Sequence, residues 1–519
     1  MNRILYKISL LVLVLAFSAC SKEFLEVEPT GSKLPSDKFL QTEDEVVTAL
    51  IGVYDKIQFN YSHGGWASVY FMKNLPADDV LCAGGGSTDQ SDYQNLDDFK
   101  ISADNGKIET IWSNFYKTIN ACNTIINGVA AIEGATEGMK AAAGEAKALR
   151  AMTYFDLVVM FGDVPFFTEN PVKTEDFHKP RTAKATIYAQ IEQDLKDAIN
   201  VLPLKSELSG ANKFRFAKGA AQGLLGKVYL YEGKYSDAAT VLGQVIASTQ
   251  YDLEPNFANV WDANNEFGIE SLFEVSYVSS EAYDWGNFPW GGGNESNIEA
   301  QLEGPRDVVF DLTNTSLNVR NGWGFNLPTA EIGDLFVAEG KGPRYAASLI
   351  SAADLIATGG AIKPAPAGGH HDYEGYMRLK YVTKTTETNT TGVPELNYTV
   401  NWRLLRYGDV LLLAAEAYHK SGQDPKAVIE LNKVRGRAGL PLVANGTSGT
   451  TLFNAIKKER QMELAFEGSR YWDLIRWGDA SAQMSNIGFV AGKHELFPIP
   501  LNEIIANNLI EQTDQNPGY

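Results

Sequence analysis

The sequence predicts a mainly α fold, in which tetratricopeptide-like helix pairs form a scaffold and a long irregular insertion carries short β pieces and exposed loops. Three observations lead there. The stretch IKKERQMELAFEGSRYWDLIRWG, Ile456–Gly478, places Met462, Leu464, Ala465, Phe466, Tyr471, Leu474 and Ile475 at helical spacings. Leu225-Gly226-x-x-Tyr229 with Ala238 and Leu242 matches the roughly 34-residue tetratricopeptide pattern, and Ala414-Ala415-x-x-Tyr418 with Ala427 and Leu431 repeats it. Between the two copies, Tyr251–Tyr398 has little helical pattern and many Gly, Asn and aromatic residues.

Taken in order, the chain opens on MNRILYK, a basic start, then ISLLVLVLAF, an apolar run too short to span a membrane, then Ser18-Ala19-Cys20, the ending of a bacterial lipoprotein signal. Residues 1–19 are expected to be removed and Cys20 to be acylated, so that its chains anchor the body to a membrane surface. Residues 20–36, with Pro29, Gly31 and Pro35, read as a tether. A first helix is expected from the apolar Phe39, Val46, Val47, Leu50, Val53 and Tyr54, capped by Ser36 or Asp37.

Asn60–Phe99 shows no sustained periodicity, whereas Lys107–Ile132 and Glu137–Phe161 read as long helices. The two repeat units turn at Gly233-Lys234 and Gly422-Gln423, and β pieces are expected at Ser271–Tyr277 and Tyr376–Thr383. In the last helical stretch Gly468 marks a bend or a close backbone approach, and Glu467/Arg470 and Asp473/Arg476 stand at the i,i+3 offset of ion pairs. Residues 37–519 are read as one body, with scaffold 37–250 and 399–519 around an irregular lobe 251–398.

The formal charge is −19, which repels polyanions and argues against a nucleic-acid partner. Of the three cysteines, Cys82 and Cys122 remain for the body, where an exported chain could oxidise them to a disulfide or a large core could bury them as thiols, and the sequence leaves both open. Motifs of catalysis are missing: there is no G-x-S-x-G elbow, H-E-x-x-H helix, P-loop, C-x-x-C pair or dinucleotide fingerprint, so the chain is read as a non-enzyme that needs no cofactor. His370-His371-Asp372 reads as a solvated loop rather than a metal site, and Asp78-Asp79 and Asp97-Asp98 as solvated carboxylates.

The aromatics of the irregular segments carry the positive signal. Trp66, Tyr70, Tyr283, Trp285, Phe288, Trp290 and Trp323 lie beside glycines rather than on amphipathic helices. A sugar presents a C–H-rich face that lies on an aromatic ring, while side chains such as Asp89, Gln90 and Asn294 hydrogen-bond its hydroxyls. Glu281–Glu303 has five acids and no Lys or Arg, and Tyr61–Phe99 has Lys73 alone, so the expected ligand is a neutral glycan.

ERQMELAFEGSRYWDLIRWGD resembles the C-terminal signature of the SusD/RagB family, outer-membrane lipoproteins that capture nutrients beside a TonB-dependent transporter. Ala146–Phe166, Asn401–Gly422 and Phe497–Tyr519 resemble further blocks of that family, in its order. The resemblance implies an α-rich fold with tetratricopeptide-like pairs, a lipid-anchored place on the outside of the outer membrane and a SusC-like transporter as partner. It also leaves open capture of peptides or another nutrient, or a docking scaffold with no ligand of its own.

Overall fold

The computed structural model describes residues 40–62 and 65–519. The expected signal, the acylated Cys20, the tether, Phe39 and the Ser36 or Asp37 cap lie outside the described residues. Helices Glu43–Tyr61, Gly106–Ala130, Glu137–Phe161, Lys184–Val201, Lys218–Tyr231, Tyr235–Ala247, Tyr407–Lys420 and Asp424–Arg437 each pack on the next in that order. Gly449–Glu463 then lies against Tyr407–Lys420. No helix of the described residues is long and apolar enough to cross a membrane.

Local caps fix where these helices begin. Asn105 Oδ1 accepts from the N–H groups of Lys107 and Ile108 at 3.0 and 3.2 Å, and Thr136 Oγ1 accepts from Met139 N at 3.1 Å. The first helix starts later than its sequence suggested: Thr42 caps it, in a capping box with Glu45. One buried guanidinium then ties three helices, since Arg150 donates to both oxygens of Asp194 at 2.8 Å and to Asn123 Oδ1 at 2.7 Å.

The repeat units form the pairs Lys218–Tyr231 with Tyr235–Ala247 and Tyr407–Lys420 with Asp424–Arg437. Gly226 is needed at their closest approach, because a Cβ there would collide with the Leu242 side chain. Although the insertion separates the pairs in sequence, helix Tyr235–Ala247 packs directly on helix Tyr407–Lys420. Strand Ser271–Val275 runs antiparallel to Trp402–Arg406, with Trp402 opposite Val275, so the insertion leaves and re-enters the scaffold at one place. The second expected β piece is shorter than its pattern, Tyr376–Arg378, and pairs with Leu349–Ser351.

Ile456–Gly478 is not one helix. Gly449–Glu463 ends at Leu464, and Arg470–Trp477 follows after a break. Gly468, at φ +76°, marks a close approach: its N–H donates to Asn74 Oδ1 at 3.1 Å, and a Cβ would stand 2.8 Å from that of Lys73. Glu467 therefore sits in the break and pairs not with Arg470 but with Arg406 and Lys380, at 2.7 and 2.9 Å, while Arg470 holds Asp78 at 2.7 Å. Asp473 and Arg476 do pair, at 2.9 Å.

Buried ion pairs lock this break to the rest of the molecule. Glu463 accepts from Arg406 at 2.7 Å, from Arg344 at 3.5 Å and from Arg437. Burial alone would raise its pKa, but Arg437, Arg406 and Arg344 outweigh that and bring it to about 2. The two acid pairs expected in solvent are in part interior. Asp79 is buried with its pKa raised to about 7, and burial, with Asp372 and Asp98 adding to it, lifts Asp97 to about 8. Cys82 and Cys122 are free thiols inside the core.

Candidate functional site

Four tryptophans from three distant segments meet ring to ring. Trp323 lies 4.8 Å from Trp66 between ring centroids, Trp66 lies 6.1 Å from Trp290, and Trp290 stacks on Trp285 at 5.9 Å with 16° between planes. Trp285 is 50% exposed and Trp290 38%, while Trp66 and Trp323 are half-buried. The row is thus an aromatic shelf, wettest at Trp285.

Local chemistry explains why the loop stands up. Asp284 Oδ1 accepts from Gly286 N and Asn287 N at 2.7 and 3.0 Å, and Asn287 Oδ1 accepts from Asp284 N at 2.7 Å, so Trp285 rides on a tight Asx turn. Tyr283 is half-buried beneath it: its N–H donates to Asn397 Oδ1 and its carbonyl accepts from Asn397 Nδ2, each at 2.8 Å. Phe288, buried with Ile298 and Leu396, forms a small apolar cluster against which Trp66 and Tyr283 pack. Phe288 is therefore a foundation of the shelf rather than part of its surface. Trp66 takes φ +55°, an uncommon conformation for a bulky residue, held in part by Lys107 Nζ on the Gly65 carbonyl at 2.9 Å.

Two residues expected at the site lie elsewhere. Tyr70 is in the core, stacked on Trp402 at 4.1 Å and 15°, with its hydroxyl shared between Phe466 O and Arg378. Ser68 caps the short helix Val69–Asn74 that turns it inward. Asn294 is buried, and its amide donates to Ser62 O and Ser296 O at 3.3 and 3.0 Å, so it braces the loop instead of meeting a ligand. Asp89 and Gln90 are half-buried. Gln90 stands in the left-handed region at the start of helix Ser91–Asp97, and its amide makes no hydrogen bond among the described residues.

Sequence reasoning missed Arg306, which lies outside both stretches whose charge it weighed. Arg306 Nη1 donates to Trp323 O at 3.0 Å and stands 3.6 Å from Asp89 Oδ2. His371 faces Gln94 and Asp372, each at 3.3 Å, and no cluster of three or more His, Cys, Asp or Glu among the described residues is placed to hold a metal. A groove of about 520 Å³, lined by none of the four shelf residues, runs along helix Gly106–Ala130, walled by Trp112, Tyr116, Phe167 and Phe177.

Comparison with known proteins bears on the family and the fold. Residues 270–519 match the family model described as SusD family, and residues 23–230 match one described as "Starch-binding associating with outer membrane". The chain is 28% identical to SusD-like protein P2 of Formosa agariphila, over 99% of each. Among solved structures it is similar to a laminarin binding SusD-like protein, with 34% identity, a TM-score of 0.81 and coverage of 92% of this chain and 99% of that one. It is also similar to surface glycan-binding protein A from Bacteroides fluxus, with 27% identity, a TM-score of 0.76 and coverage of 92% and 100%. With its helix pairs, its signature segment and both halves of its length matched, the chain belongs to the SusD/RagB family.

Proposed function

We propose that this protein captures a neutral oligo- or polysaccharide on the tryptophan shelf and delivers it to a SusC-like TonB-dependent transporter at the outer membrane, held there by lipid on Cys20. The observation that carries the reading is the continuous row Trp323, Trp66, Trp290, Trp285, half of it exposed. Exposed indoles that stack on one another offer broad apolar faces at little entropic cost, which suits the C–H faces of successive sugar rings. In this reading Asp89 and Gln90 meet hydroxyls, and capture by stacking and hydrogen bonds requires no bond to be made or broken.

The relatives support this reading. One similar structure is named for laminarin binding and another for surface glycan binding, and the N-terminal family model is described by starch binding at the outer membrane. The test is titration calorimetry of the chain from Ser21 onward against laminarin, other neutral polysaccharides and polyuronates. Saturable heat with a neutral glycan is the expected result. Tight, steeply salt-dependent binding to a polyuronate, with silence from every neutral glycan, would overturn it.

A further inference from the structure

We infer that Asp89 sets the charge selectivity of the shelf by neutralising Arg306, and that without it the same site would take anionic sugars. The neutral-ligand half of this rests on the function proposed above. Arg306 is a cation at the Trp323 end of the row: its Nη1 donates to Trp323 O at 3.0 Å, and its side chain is 28% exposed. A planar guanidinium in that place, with donors left over, is suited to grip a carboxylate or sulfate in bidentate fashion. Asp89 stands in the way. Its Oδ2 lies 3.6 Å from Arg306 Nη1, and the carboxylate is itself 36% exposed, so both charges face the same water.

The carboxylate does not owe its position to the arginine. Gly85 N donates to Asp89 Oδ2 at 2.8 Å, and Asp89 N donates to Gly86 O at 2.9 Å, which pins the acid to its own glycine-rich turn. Further negative charge backs it, since Asp98 and Asp372 gather with Asp89 around Cys82. Lys107, a second cation, beside Trp66, is matched in the same way by Glu299 and Asp92. An anionic sugar approaching Trp323 would meet a guanidinium already answered and a carboxylate that repels it. A neutral sugar meets a donor and an acceptor side by side, the pairing that two neighbouring hydroxyls require.

Asp89→Asn keeps the shape and an oxygen for Gly85 N while removing the charge. Wild type, Asp89→Asn and Asp89→Asn/Arg306→Gln are titrated with laminarin and with oligogalacturonides, at low and high salt. The expected result is that Asp89→Asn binds oligogalacturonides about tenfold tighter than wild type, that salt removes the gain, and that adding Arg306→Gln abolishes it. Laminarin affinity should hold or fall in Asp89→Asn, because the amide is a weaker acceptor for a hydroxyl than the carboxylate, so that the gain is confined to the anionic ligand. The inference fails if Asp89→Asn binds oligogalacturonides no better than wild type, or if the gain survives loss of Arg306. A wild type that ignores laminarin would sink the proposed function instead, and the galacturonide comparison would still decide the role of Asp89.

Discussion

Trp285→Ala is the sharpest test of the shelf, because its size can be worked from the structure. A tryptophan presents about 250 Å² at most, so a ring that is 50% exposed leaves about 125 Å² for a ligand to cover. If a sugar covers between half and all of that, at about 25 cal/mol per Å² the loss is about 1.5 to 3 kcal/mol, or roughly 10- to 150-fold in Kd. Trp290, at 38% exposed and stacked on Trp285, should cost somewhat less alone. The two should not add, since removing one ring bares the face of the other. Calorimetric titration of both single variants and the double variant with laminarin gives the coupling directly. Trp285 sits at the tip of a turn made by Asp284 and Asn287, so its truncation should leave unfolding within about 0.5 kcal/mol of wild type. An affinity within twofold of wild type, in a variant of unchanged stability, would refute the reasoning.

Other expectations concern the body that holds the shelf. Asp97 keeps its proton in the folded chain up to about pH 8, whereas an unfolded aspartate loses it near pH 4; the stability this contributes is whole below about pH 4 and is lost as pH rises toward 8. Asp97→Asn should therefore match wild type in Tm near pH 4 and exceed it at pH 8, and parallel Tm curves across that range would contradict the assignment. Gly226→Ala should destabilise by about 1 to 3 kcal/mol in urea unfolding, because its methyl lands in Leu242; a neutral result would mean that the helix pair can part at no cost. Glu463→Gln removes the one carboxylate shared by Arg344, Arg406 and Arg437, leaving a net positive charge buried with the remaining acids Glu270, Glu459 and Glu467, and should cost about 3 to 5 kcal/mol, read as a large fall in Tm. Cys82 and Cys122 should resist a thiol reagent in the folded chain and react once it is unfolded, as burial raises both thiols above their ordinary range.

How much of this was legible follows from how far each feature reaches along the chain. Helices Gly106–Ala130 and Glu137–Phe161 fall within two residues of their periodic pattern, because a helix is decided by neighbours three and four apart and by a cap. The repeat was legible for the same reason, since small residues at Gly226 and Ala414 fit a partner only a turn away in sequence. Glu467 and Arg470 show the limit: the i,i+3 rule holds only inside a helix, and Glu467 lies in the break between the helix that ends at Glu463 and the one that Arg470 opens.

The candidate site was legible in composition but not in place. Trp66 and Tyr70, four residues apart in the same Gly- and Ser-rich context, part company because Ser68 starts a helix whose next turn faces the core, where Arg378 and Trp402 await the tyrosine. Asn294 carries the same amide that would suit a sugar hydroxyl, yet Ser62, far away in sequence, takes its hydrogen bond. What gathers the tryptophans is likewise long-range: Asn397 holds Tyr283, Gln301 O accepts from Trp323 N at 2.9 Å, and Ser62 Oγ accepts from Ile298 N at 2.9 Å. A polar or aromatic residue in a loop becomes part of a binding surface only when no partner inside the protein satisfies it first. By that criterion Trp285 and Trp290, which keep much of their surface exposed after all their contacts are made, are better candidates than any of the polar residues named beside them.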